Sequence, residues 1–322
     1  MSEQPLRIAR GAMATRFEIA LFGDDPIALR AAAEEALDEV QRVEQLLSWR
    51  KSTSPVARLN AGAAGVPIKV TPELFSFVRR CHELWELGNH AFDITVGPLM
   101  QAWSGLAERG QTTDEPALAA ARDACGMQHV ELNPKDYTVK FARPGMRLDF
   151  GAVGKGYALD LATEVLRDAG VTSALIHGGT STVCAIGHPP DAGHWRVAVE
   201  YPPGDEVVES LPVLTVVDLC DEAMSVSAVW GRVFRIGQDT FGHVLDPRTG
   251  RPAGEALLSI YVCREATEAD AMSTALLTEG ASGVGHFETS RPDARTLVLG
   301  GRRESGNYSI AAHGIGWRPL AC

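Results

Sequence analysis

The sequence predicts an α+β protein built from mixed or antiparallel sheets with helices packed against them. Two observations carry this. Helical and strand-like segments are mingled without a strict β-α-β rhythm. Between residues 172 and 262 strand-like runs follow one another, several separated only by tight turns. No internal repeat, low-complexity tract or long linker divides the chain, so a single domain over residues 1–322 is expected.

Residues 1–10 are expected to be disordered. Residues 15–22, "TRFEIALF", alternate and read as a strand. From 26 to 47 the apolar positions Ile27, Leu29, Ala33, Ala36, Leu37, Val40, Val43 and Leu47 fall at helical spacing. Thr71-Pro72-Glu73 opens a second helix, with Thr71 as cap and proline at the first helical position, running to Gly88. A helical stretch near 114–124 precedes a hairpin, "HVELNPKDYTVKF", whose turn is Asn133 to Asp136. Another helix follows the glycines at 154 and 156 and ends near Gly170. Then come the strand-like runs "SALIHGG", "STVCAIG", "WRVAVEY", "PVLTVVDL", "RVFRIG" and "LLSIYVC", with 201–212 expected as an exposed loop. Thr267 to Glu279 reads as a helix, and "RTLVLG" and "NYSIAAH" return to strands.

With 322 residues, 45% hydrophobic and 22% charged, the chain has ample material for a sizeable core. A net charge of −11 argues against a broad nucleic-acid or anionic-membrane surface, though not against one local basic pocket. The six cysteines form no Cys-x-x-Cys pair and no zinc spacing, so they read as buried reduced thiols. The first residues show no apolar signal core and no lipidation cysteine. The longest uncharged run, residues 169–190, is too rich in Gly, Ser and Pro to span a membrane. A cytoplasmic setting is expected for the chain as given, and a periplasmic one if a leader has been removed.

Four segments carry chemistry. In "RLDFGAVGKGYALD" a strand-like run ends at Asp149-Phe150, and Lys155 then sits among Gly151, Gly154 and Gly156 at the mouth of a helix. Helix-start amides and a lysine suit a phosphate. The spacing matches neither the P-loop nor the dinucleotide fingerprint, and a tight turn with a solvated lysine fits as well. In "ATEADAMSTALL", Asp270 and Thr274 are four apart and share a helix face. They could hold a hard cation, or Thr267 and Asp270 could simply cap the helix. Small residues at 269, 271, 273 and 275 would let a ligand or a backbone come close. In "HAFDITVGPLMQAW", Asp93 reads as the cap of a helix after Pro98 or as a ligand-binding carboxylate. In "GHVLDPRTGRPA", residues 246–250 form a turn by composition, with His243 before it. No serine-hydrolase elbow or zinc-protease motif appears.

In order along the chain, "MATRFEI", "LLSW", "AFDITVGPL", "LDFGAVGKGYALD", "ALIHGG", "HVLDPRTGRP" and "ADAMSTAL" resemble the FAD:protein FMN transferase family, also called the ApbE family. The resemblance covers about residues 11 to 300 and implies an ApbE-like α/β architecture. It implies an enzyme that binds FAD and Mg2+, with Mn2+ as an alternative metal. Such an enzyme passes the FMN part to a Ser or Thr hydroxyl of an acceptor flavoprotein and releases AMP. By resemblance the Ala152 carbonyl, Asp270 and Thr274 are the metal ligands. Met13, Trp49, Ala91, Phe92, Asp93, Lys155, Ala158 and His243 line the FAD site, the aromatic and thioether groups suiting flat ring faces. Asp270 and then His243 are the candidates for the catalytic base.

The chain departs from the family pattern at Ile94, where proline is common, and at Thr180, where an acidic residue is common. It departs again at residues 225–230, "SVSAVW", where Thr-Ser-Gly is common. The family's acceptor motif is absent, so self-modification is not expected. Two alternatives remain: an Mg2+-dependent FAD pyrophosphatase giving FMN and AMP, and a non-catalytic FAD-binding protein. No nucleic-acid partner and no membrane insertion are expected.

Overall fold

The computed structural model describes residues 4–111, 114–202, 212–231, 233–254, 256–302 and 307–318. The chain falls into two compact units, each discontinuous in sequence. The first comprises residues 1–44, 153–227 and 256–322, and the second 45–152 and 228–255. The sequence hid this division because two boundaries fall inside regular elements, the helix Pro26–Leu47 and the strand Ala223–Ala228. No change of composition marks them.

The first unit is built on an eight-stranded sheet. From edge to edge its strands are Leu6–Ala12, Thr15–Leu21, Ala174–Gly178, Thr182–Ile186, Ala223–Ala228, Ala256–Cys263, Arg295–Arg302 and Asn307–His313. The first four pair antiparallel in turn, Thr182–Ile186 with Ala223–Ala228 likewise, and so do the last three. The α+β expectation holds.

Disorder through residue 10 does not. Leu6–Ala12 pairs along its whole length with Thr15–Leu21, Leu6 opposite Leu21 and Ala12 opposite Thr15. Its charged residues are those of an edge strand, where arginines discourage further pairing. Arg7 lies 3.4 Å from Glu18. The two-residue connection, Met13-Ala14, has φ of 50° and 58°. A tight hairpin of this kind requires positive φ at both positions, and neither residue is the glycine that would adopt it freely.

Helices pack on this sheet. Asp25 caps Pro26–Leu47 by accepting from the amides of Ile27 and Ala28. Ala266–Glu279 packs on the strand Ala256–Cys263 and against the helix Gly154–Asp168. Nearly every residue of Ala266–Glu279 is buried, as expected of a helix with small and apolar residues all round. Its one buried glutamate, Glu268, is paired with Arg291 at 2.6 Å. A further helix, Ala281–Ser290, follows directly. Residues 203–211, most of the predicted exposed loop, lie outside the described residues, whereas Tyr201 and Pro202 are buried.

The second unit is largely helical, with Pro55–Gly62, Pro72–Leu87, Gly97–Arg109 and Glu115–Asp123. Thr71 caps Pro72–Leu87 by accepting from the Leu74 amide at 3.3 Å, and Gly88 closes it. The predicted hairpin forms from Val130–Asn133 and Thr138–Phe141, which Ile68–Lys69 extends to three strands. Leu99, Trp103, Leu106, Leu118, Phe234, Ile236 and Leu245 form a shared core. Trp103 also donates to the Gly250 carbonyl at 2.9 Å, tying its helix to the turn at 246–250.

"RLDF" is not a ladder strand. Arg147 makes a single parallel bridge with Val96, and Leu148 is held by the Asn60 amide at 2.7 and 3.0 Å.

Among the described residues no helix is long and apolar enough to cross a membrane. Five cysteines are free thiols, and burial pushes Cys125 and Cys184 up to about 12. Such thiols stay protonated and unreactive.

Candidate functional site

The glycine-lysine segment forms the start of the helix Gly154–Asp168. Its anion is an internal one: the Gly156 amide donates to Asp270 Oδ2 at 3.0 Å. Gly156 is glycine because a Cβ there would lie 2.1 Å from the Ala266 carbonyl oxygen and 2.8 Å from Asp270 Cβ. The two helices therefore cross at backbone contact, Gly156 against Ala266. Lys155 adds its ammonium 3.4 Å from Asp270 Oδ1, with the lysine side chain 21% exposed.

Hydroxyls complete the surroundings of Asp270, which is buried. Thr182 Oγ1 donates to Oδ1 at 3.1 Å and Ser225 Oγ at 3.3 Å. Ser273 donates to the Asp270 carbonyl at 3.0 Å, and Thr274 does so at 3.3 Å. Ser227 Oγ lies 2.8 Å from Ser273 Oγ and 3.3 Å from Thr274 Oγ1. Sequence reasoning missed Thr182, Ser225, Ser227 and Ser273. Ser225 and Ser227 stand two apart on a strand and so share a face, which was the available signal. They belong to the segment that departs from the family pattern, and the departure keeps hydroxyls there.

The capping alternative for Asp270 fails. Asp160, from the helix Gly154–Asp168, takes the first amides of Ala266–Glu279: Ala266 N at 2.7 Å and Thr267 N at 2.8 Å. Thr267 is not the cap either, because its hydroxyl donates to the same carboxylate at 2.5 Å.

Ala158 is fully buried, and Met13 sits half-buried in its hairpin turn. Gly179, just before Thr180, has φ +69° and would place a Cβ 2.4 Å from Thr15 Oγ1, so only glycine fits there.

The remaining predicted residues lie in the second unit. Ala91, Phe92 and Asp93 are buried. Asp93 is not a helix cap. Its carboxylate accepts from the Thr95 amide and hydroxyl, both at 2.6 Å, and from the Met127 amide at 3.2 Å. The helix Gly97–Arg109 begins with no side-chain cap. Burial pushes Asp93 up to about 6 against the pull of these donors. Asp93 also borders a cleft of about 280 Å³ with Trp85, His90, Arg122, Arg143 and Arg248.

Trp49 is 39% exposed, with the guanidinium groups of Arg50 and Arg147 5.0 and 5.9 Å from its ring centre. His243 is half-buried and precedes the turn at 246–250. There Asp246 accepts from the Arg248 amide at 2.9 Å, and its carbonyl accepts from the Gly250 amide at 2.8 Å. Ala152 is the last residue of the second unit's long segment.

Asp270 and Thr274 offer hard oxygens, as Mg2+ or Mn2+ prefers, and the ammonium beside Asp270 marks a spot built for positive charge. Among the described residues no group of three His, Cys, Asp or Glu could hold a metal.

The sequence model of the ApbE family matches residues 13–297. An FAD:protein FMN transferase of Klebsiella pneumoniae is 30% identical over 277 residues, covering 83% of this chain and 77% of the relative. One from Treponema pallidum is 28% identical over 281 residues, covering 83% and 76%. The crystal structure of the ApbE protein of Thermotoga maritima superposes with a TM-score of 0.83 at 25% identity, covering 96% of this chain and 97% of that one. The apo flavinyl transferase ApbE of Pseudomonas stutzeri gives 0.80 at 25% identity, covering 98% and 97%.

Proposed function

The chain belongs to the ApbE family, and from that premise we propose that it transfers the FMN part of FAD to a Ser or Thr hydroxyl of an acceptor protein. The relatives named FAD:protein FMN transferase support this along most of the chain. The observation that carries the reading is the buried Asp270, with Lys155 and a helix start on one side and Thr274 on its own helix.

In the reaction the acceptor oxygen attacks the FMN phosphorus of the pyrophosphate. A new phosphoester bond forms, the bond to the bridging oxygen breaks, and AMP leaves with the electron pair. Lys155 offsets the charge on the phosphate oxygens. Asp270 and Thr274 would hold the divalent cation. When bound, that cation neutralises phosphate charge.

Asp270 already meets an amide, two hydroxyls and an ammonium, so its lone pairs are committed. This suits it to holding positive charge more than to removing a proton. His243 is the other candidate for that proton. Met13 would lie against a flat ring of FAD.

Chromatography of FAD, Mg2+ and this protein, with and without an acceptor bearing the family's target motif, tests the reading. AMP should appear only with the acceptor, in step with loss of free FAD and without free FMN. Equal AMP and FMN without acceptor would mark a pyrophosphatase, and intact FAD in both tubes a binder.

A further inference from the structure

We propose that Asp160 is a positioning residue for the phosphoryl-transfer site: it holds the Asp270–Thr274 helix in register against the Lys155 helix. The inference rests on the function proposed above for what it does to catalysis, but its geometric half stands alone.

The first amides of any helix lack acceptors within it. Most helices satisfy them with a side chain just before the first turn. Ala266–Glu279 has none there, since Glu265 makes no side-chain cap. The acceptor comes instead from the neighbouring helix, one turn beyond Lys155. Asp160 Oδ1 accepts from Ala266 N, and Oδ2 accepts from Thr267 N and Thr267 Oγ1, at 2.5 to 2.8 Å. Three charge-assisted bonds from one carboxylate form a strong tie.

The geometry makes this tie more than a local cap. Gly156 touches Ala266 at one end of the crossing, and its amide reaches Asp270 one turn further along. Asp160 thus fastens the same crossing that sets the distance from Lys155 and Gly156 to Asp270. If that fastening is released, the carboxylate and Thr274 shift together relative to the ammonium. In positioned catalysis a displacement of about 1 Å costs on the order of 10²-fold.

The Gly156 amide is the reporter. It lies in the first turn of its helix, where no acceptor exists within the helix, and it donates to Asp270. Hydrogen exchange of the whole protein, read residue by residue by NMR, needs no flavin and no metal. In Asp160→Ala, Gly156 should exchange at least about tenfold faster than in wild type, and transfer should fall about 10- to 100-fold. Asp160→Asn keeps one carbonyl oxygen as acceptor and should fall between, which keeps the test alive if the alanine variant does not fold.

Faster exchange confined to Ala266 and Thr267, with Gly156 unchanged in the folded variants, would reduce Asp160 to a local cap and overturn the inference. Altered Gly156 exchange with transfer equal to wild type would overturn its catalytic half. If the wild type itself transfers nothing, the proposed function fails, and Gly156 exchange still decides the positioning.

Discussion

Each unit of the molecule buries a carboxylate from a family-like motif, and the two are satisfied in opposite ways. Asp93 is held chiefly by its own neighbourhood, the Thr95 amide and hydroxyl two residues on, with one amide from farther away, that of Met127. Asp270 is met by side chains from separate strands and by the start of another helix. Local backbone donors fix a turn and cannot easily be exchanged for a ligand. Long-range hydroxyls and an ammonium can be. On the proposed reading, the contrast assigns Asp93 to holding the fold and Asp270 to the reaction.

The largest expected effect tests this contrast directly. Asp270→Ala should lower the transfer rate about 10³-fold, through lost charge neutralisation at the phosphates. Asp93→Asn in the same steady-state assay should stay within about threefold of wild type, as a change away from the reacting atoms does. Comparable losses in both would erase the distinction.

Next comes Lys155→Met, expected to cost about 10²-fold in rate while leaving the thermal midpoint close to wild type. A fall in stability with no fall in rate would make Lys155 a partner of Asp270 for folding only.

Gly156→Ala probes the crossing itself. With the Ala266 oxygen 2.1 Å from the new Cβ, the helices must part, at a cost of about 1–3 kcal/mol in urea unfolding. An alanine variant as stable as wild type would show that the crossing has slack.

A smaller effect concerns pH. The Asp93 carboxyl is raised in the folded chain from 3.8 to about 6, so between these values the folded state keeps a proton that the unfolded state has lost. Its contribution to stability is therefore fullest at low pH and declines as pH rises to 6. Asparagine does not titrate. The melting point of Asp93→Asn relative to wild type should move in the variant's favour between pH 4 and pH 7. A constant gap would mean that burial does not oppose ionisation there.

The smallest is Ala14→Gly, which removes a Cβ from a left-handed position and should gain about 0.5–1 kcal/mol.

Legibility followed the range of the interaction. Caps and periodic faces could be read because their causes lie within a few residues: Thr71 with Pro72, the apolar stripe of Pro26–Leu47, and the turn at Asp246. The edge strand Leu6–Ala12 went unread because pairing with Thr15–Leu21, not composition, orders it. At the site, Asp270, Thr274 and Lys155 were visible as a motif. Thr182, Ser225 and Asp160 were not, because they meet Asp270 or its helix across 45 to 107 positions of chain. The close approach of Gly156 to Ala266 was hidden for the same reason, since the two lie far apart in the chain.

The most direct test is intact-mass spectrometry of an acceptor carrying the family's target motif. It would be incubated with FAD, Mg2+ and, in parallel, wild type, Asp93→Asn or Asp270→Ala. The account predicts an FMN-sized gain with wild type and Asp93→Asn, none with Asp270→Ala, and none when the target hydroxyl is replaced. An undiminished gain with Asp270→Ala would contradict it.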